Sequence, residues 1–164
     1  MRQVTFGLED VIPFSLERGV CCVLLHLCDN PDVVIPLHTS DQQARDIYLT
    51  LVDGVTPIPF WQDIFIRMEY VFGVAVKKVL FQPYDKKVLC AVVTFERGEK
   101  KEEFQIQAWE GIILALHAKV PMYVSDELAE FALQNTGKGE AETALADLSS
   151  QTRAFINDLN FDGI

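Results

Sequence analysis

The sequence predicts an α+β fold: an antiparallel meander β-sheet with packed helices, followed by a C-terminal amphipathic helix. Three observations carry this. Between Val74 and Ala108, apolar-patterned runs are joined by the polar links PYDKK and RGEKK, both of hairpin length. Helical apolar spacing appears on either side of that region. Beyond Gly139, apolar residues recur at alternating spacings of four and three.

Each element follows in order. Val4 to Phe14 reads as a loose extended segment with Pro13 near its end. VCCVLLHLC, Val20 to Cys28, is a strand apolar on both faces: Cys21, Val23, Leu25 and Leu27 on one, Cys22, Leu24, His26 and Cys28 on the other. Such a strand lies between two layers or at a subunit contact. Asp29 to Asp32 makes a turn, and Val33 to Leu37 returns as a short strand. Thr39 or Ser40, with Gln42 or Gln43 three residues on, caps a helix whose inner positions are Ala44, Ile47, Tyr48, Leu51 and Val52. Gly54 stops it.

A proline-stiffened link, Val55 to Pro59, leads to a second helix over about Phe60 to Phe72, ended by Gly73. The meander strands are about Val74 to Gln82, Val88 to Glu96 and Glu102 to Ala108. Glu110 to Lys119 is a short apolar helix and Pro121 to Val124 a short strand. Ser125 caps a further helix with Leu128, Phe131 and Ala132 inward. Residues 1–135 thus form one α+β domain, and 136–164 a linker and amphipathic helix. The stripe Ala141, Leu145, Leu148, Thr152, Phe155 and Leu159 is too short for a stable coiled coil alone. It packs on its own domain or on a neighbour. With the two-faced strand, it predicts a homo-oligomer.

The net charge of −10 disfavours nucleic acid as a partner, because phosphate contacts require Lys and Arg. Lys77, Lys78, Lys86, Lys87 and Arg97 to Lys101 cluster, but as hairpin tips and solvated edges. No apolar run reaches membrane-spanning length, and the start lacks the apolar core of a signal peptide, so a cytoplasmic protein is expected. The four cysteines have no CxxC spacing and read as buried free thiols.

His26, His38 and His117 are the only histidines, and no two show metal-ligand spacing. No GxSxG, HExxH, P-loop or GxGxxG stretch occurs. The carboxylates Asp63, Glu110 and Asp126 each open a helix, where they could meet at one divalent cation or serve the helix dipole alone.

Several segments together resemble one family. Pro36 ends a strand before a helix containing Ala44; GVTPIPFWQDIF precedes the second helix; the meander leads into a helix followed by VPMYVSDEL. This order is similar to the bifunctional nuclease family of bacteria and plants, over about Val20 to Phe131. The strongest local match is Ile112 to Leu128. The polar motifs depart from the family's. Its Leu-Pro-Ile-Trp-Ile-Gly stands here as Ile35-Pro36-Leu37-His38-Thr39-Ser40, and its helix glutamate as Gln43. Its Arg-Pro-Leu-Thr-His-Asp stands as Ile58-Pro59-Phe60-Trp61-Gln62-Asp63. Its Arg-Pro-Ser-Asp-Ala stands as Gln107-Ala108-Trp109-Glu110-Gly111.

The resemblance implies a metal-dependent nuclease acting on DNA or RNA, with Mg²⁺ or Mn²⁺ as its cation. Asp63 and Glu110 would be the remaining catalytic acids, with Gln62 and Gln107 as binding residues beside them; Trp61 and Trp109 suit an apolar binding pocket or interface, or ordinary core packing. The departures remove a bidentate arginine and a histidine base. They therefore imply a divergent member. The other reading is a non-catalytic oligomeric binding or interaction domain with an altered pocket.

Overall fold

The computed structural model describes residues 1–15, 20–53, 67, 70–84 and 88–135. Its strands are β1 (Arg2–Thr5), β2 (Val11–Ser15), β3 (Val20–Leu27), β4 (Asn30–Ser40), β5 (Ala75–Pro83), β6 (Leu89–Arg97), β7 (Lys100–Gln107) and β8 (Met122–Val124). The helices are α1 (Asp41–Asp53), α2 (Ala108–Ala118) and α3 (Asp126–Asn135). The fold is α+β, as expected. Of the expected second helix, Arg67 and Tyr70 to Phe72 are helical and its start lies outside the described residues. The C-terminal stripe lies outside them too.

The loose N-terminal segment resolves into two strands separated by a 3-10 turn, Leu8–Asp10. Both strands pair antiparallel with the same edge of β3: β1 near Leu27, β2 from Val23 back to Val20. The other edge of β3 carries β4 along its whole length, from Val20↔Ser40 to Leu27↔Asn30. The expected four-residue turn is therefore only Cys28 and Asp29, and β4 is twice as long as its apolar core suggested. Backbone pairing explains this. The buried β3 needs both edges satisfied, and Pro36 is tolerated in β4, whose other edge has no strand partner among the described residues. Within β4, Val33, Ile35, Leu37 and Thr39 are buried, at the two-residue period of a strand.

The meander β5–β6–β7 is antiparallel as expected. The β6–β7 loop is two residues, with Gly98 at φ 59°, the glycine-first pattern of a II′ hairpin. What the sequence did not foretell is β8. This three-residue strand lies between β1, to which it is antiparallel, and β5, to which it is parallel. It joins the two halves into one mixed sheet.

One face of that sheet carries the core. Val4, Val23, Leu25, Leu27, Ile35, Val79, Phe81, Ala91, Val93, Met122 and Val124 form a single buried cluster with Ile47 of α1, Ile112 to Ala115 of α2, and Leu128, Ala129 and Ala132 of α3. On the reverse face, Cys22 and Leu24 make a small separate cluster with Val34. Two inner positions differ from expectation: Val52 and Phe131 are exposed. In α3, the buried positions 128, 129 and 132 define a narrow stripe, and Phe131 points away from it. Cys28, in the β3–β4 turn, is exposed, whereas Cys21, Cys22 and Cys90 are buried thiols outside any disulfide.

Helix α2 is buried nearly all round, from Gly111 through Ala115. It can approach the sheet because Gly111 has no side chain. A Cβ there would overlap the Ala91 methyl and come within 3.1 Å of Val79 Cγ1. Its far end is closed by Lys119 in the left-handed region, φ 54°. The Lys119 N–H donates to the Leu116 carbonyl at 3.3 Å and the Val120 N–H to the Ala115 carbonyl at 3.1 Å, a Schellman closure. We expect Gly111→Ala to destabilise the fold by about 1–3 kcal/mol through overpacking, even though alanine is the better helix former by about 1 kcal/mol. Urea denaturation should show this loss, and the added change Ala91→Gly should restore part of it.

Candidate functional site

Both family-like polar positions that are described fall at helix starts, so local geometry decides what they can do. At α1, the Ser40 N–H donates to Gln43 Oε1 at 2.8 Å and the Gln43 N–H donates to Ser40 Oγ at 3.3 Å. Of the two expected caps, Ser40 is therefore the one used, in a reciprocal capping box. At α2, the Gln107 N–H donates to Glu110 Oε2 at 3.1 Å. The Trp109 indole N–H donates to Gln107 Oε1 at 2.9 Å. Gln107, Trp109 and Glu110 do come together, and they bond to one another. Trp109 is half-buried and packs against the core. Its ring holds the glutamine in place.

Trp61, Gln62 and Asp63 lie outside the described residues. The third helix-start acid, Asp126, is engaged elsewhere: its Oδ1 accepts from the Met1 ammonium at 2.6 Å on the surface. That contact holds its carboxyl below the usual range. Among the described residues no three His, Cys, Asp or Glu side chains converge as metal ligands. Within the basic cluster, Lys77 and Lys101 lie 3.7 and 3.5 Å from the two oxygens of Glu96. Lys86 and Lys87 lie outside the described residues.

Sequence reading missed Asp46. This α1 residue is buried, 8% exposed, and burial pushes its carboxyl above the usual range despite the opposing pull of Gln42 and Arg45. Gln42 Nε2 donates to its Oδ1 at 3.0 Å, and Thr50 Oγ1 donates to its backbone carbonyl at 2.7 Å. The signal was present: an aspartate between the inward positions Ala44 and Ile47, with Gln42 one turn earlier. Because α1 and α2 pack side by side, this buried carboxyl belongs to the same helical layer as the α2 start.

A second polar constellation is the pair of His26 and Asp10. His26 Nε2 lies 2.9 Å from Asp10 Oδ1 and Nδ1 lies 2.8 Å from the Pro31 carbonyl. The Gly7 N–H donates to Asp10 Oδ2 at 2.6 Å. Both ring nitrogens face acceptors, so the imidazolium, with two donors, fits best. Neither nitrogen is open to a substrate. The pair fastens the 3-10 turn to the β3–β4 hairpin and is not arranged as a general base. The buried Cys22 thiol is likewise chemically quiet, pushed up to about 11 by burial.

The family model described as the bifunctional nuclease domain covers residues 23–136, well over half of the chain. No curated protein matches it.

The fastening has a pH signature. Burial lowers the His26 pKa, but the Pro31 carbonyl and the Asp10 and Glu9 carboxylates outweigh it, and the net shift is upward. A pKa raised in the folded state contributes stability that is full below the unfolded value, near 6.5. It is lost as pH rises through the folded value. The stability difference between wild type and Asp10→Asn should be about 1 kcal/mol at pH 5.5. It should shrink by pH 8.5, as read from urea midpoints across that range.

Proposed function

The chain belongs to the bifunctional nuclease domain family, and on that premise we propose that it keeps the nuclease-like domain as a binding scaffold while cleaving phosphodiester bonds weakly or not at all. The observation that carries this is the use made of the two family-like positions. Gln43 and Glu110 each fold back on their own helix cap. A carboxylate that must act on a substrate or hold a cation needs free lone pairs aimed outward. Glu110 spends one oxygen on the Gln107 N–H, and Gln107 spends its carbonyl on Trp109. The position where the family has arginine therefore offers neither a positive charge nor an outward donor fork.

The rest of the chain supports the reading. A net charge of −10 repels a phosphate backbone. Asp46 and Glu110 do not suit a divalent cation. One is biased toward its protonated form and the other is turned into a cap.

Full-length protein incubated with single- and double-stranded DNA and RNA, with Mg²⁺ or Mn²⁺, should give cleavage within a few-fold of a protein-free control. The variant Glu110→Ala should lose about 1 kcal/mol of stability, the usual worth of a cap, and leave that background unchanged. Metal-dependent turnover a hundredfold above background, abolished in Asp63→Asn/Glu110→Gln, would replace this reading with an active nuclease.

A further inference from the structure

Strand β7 ends the sheet: it pairs with β6, and no strand lies beyond it among the described residues. The β6–β7 ladder runs without a bulge from Cys90↔Gln107 to Arg97↔Lys100. The two-residue turn makes Arg97 and Lys100 a hydrogen-bonded pair, and the alternation of an antiparallel ladder follows from it. Lys100, Glu102, Phe104 and Ile106 turn their backbone groups to β6. Lys101, Glu103, Gln105 and Gln107 turn theirs to the open edge. Glu110 Oε2 takes the Gln107 N–H at 3.1 Å, which leaves the N–H groups of Lys101, Glu103 and Gln105 for a further strand. Phe104 and Ile106 share a face with the core residues Val93 and Ala91 opposite them. Yet Phe104 is 56% exposed. Held edge-to-face against Phe95, centroids 5.6 Å apart, it stands in an open apolar groove of about 500 Å³ beside Leu114 of α2. The groove's charges balance, Glu96 and Glu102 against Arg97 and Lys100, so neither a strongly acidic nor a strongly basic partner is favoured. An eight-residue edge with no proline, no bulge and an exposed aromatic is a template for another strand.

We propose that this strand is β7 of a second copy, paired antiparallel about a two-fold axis that passes at Phe104. Charge selects both the partner and the register. A two-fold axis normal to the sheet sets one residue opposite its own copy, and the others pair outward from there. An axis at Lys100, Lys101, Glu102 or Glu103 would set like charges directly opposite, which is destabilising. From Phe104 to Gln107 the strand is uncharged. An axis at Phe104 keeps the longest overlap free of like pairs, residues 101–107 of each copy. Glu103 then meets the partner's Gln105, Glu102 meets the partner's Ile106, and Lys101 meets the partner's Gln107. Phe104 meets its own copy in a non-hydrogen-bonded pair, the kind with the closer side chains, and the two rings cover one another. Both helical layers lie on one side of a continuous sheet, and the two grooves join over the seam. This surface is neither β3, whose edges are already paired, nor the C-terminal stripe, the two features from which the sequence led to an expected homo-oligomer.

Sedimentation velocity of the full chain across the micromolar range should show a monomer–dimer equilibrium. Gln105→Pro removes an outward N–H and no bond to β6. It should raise the dimer Kd at least tenfold while far-UV circular dichroism stays unchanged, and Gln105→Ala should leave the Kd near that of wild type. Disulfide trapping reads the register, in a Cys28→Ser background that lacks the exposed native thiol. With oxidised glutathione, Phe104→Cys should cross-link to its own copy, since opposed residues of such a pair have Cα atoms about 4.5 Å apart, within reach of a disulfide. Glu102→Cys, Glu103→Cys and Gln105→Cys should each cross-link at least tenfold more slowly. A wild type that stays monomeric at high micromolar concentration would overturn the proposal. So would a dimer unmoved by a folded Gln105→Pro, or trapping through position 102, 103 or 105 as fast as through 104. Should Gln105→Pro misfold, the trapping series decides alone.

Discussion

The close approach of α2 to the sheet at Gly111 is the constraint on which the other features of this domain depend. With no side chain at that point, the helix backbone sits against Ala91 and Val79, and Ile112 to Ala115 are buried on every side. A buried helix cannot shift without opening the core, so both its ends are fixed in space. Its C-terminal end turns through Lys119 and feeds Met122 to Val124 into the slot between β1 and β5. The strand that unites the two halves of the sheet is thus delivered by the seating of one helix.

The same seating governs the candidate site. A helix whose axis is fixed by packing still has to satisfy the free N–H groups of its first turn. In this chain that duty falls to Glu110 at α2 and to Ser40 with Gln43 at α1. Side chains at the third helical position can reach back to the cap or out to a ligand, and here the described ones reach back. The stability of the layer and chemistry at its helix starts compete for the same oxygen atoms.

Charge tells a similar story of local commitments. The histidine with the best-defined partners, His26, is held between a carboxylate and a carbonyl and ties the N-terminal turn to a hairpin. On the basic edge of the meander, Glu96 is shared between Lys77 and Lys101. The carboxyl whose properties are most altered, Asp46, is on the side of α1 and owes its shift to burial. None of these required a bound partner to explain its geometry.

The sequence by itself determined the class of fold, the three meander strands, a helix cap at Thr39 or Ser40 and another at Ser125, and the family. These are local properties: strand alternation, two-residue hairpins and capping patterns involve residues a few positions apart, and VPMYVSDEL is a contiguous string. Ser125 does accept the Leu128 N–H, at 3.2 Å. The tertiary structure decided what depends on distant pairing. The length of β4 was set by its register with β3, and the slot of β8 by strands 40 and 120 residues away along the chain. The inward direction of Asp46 and the outward one of Phe131 were set by which face of each helix met the sheet. Lys119 was held left-handed by the two hydrogen bonds that close α2, with no glycine to announce it. At Gln107, Trp109 and Glu110 the residue types pointed equally to a pocket and to a cap. Only the positions of their atoms, 2.9 and 3.1 Å from one another's partners, made them a cap.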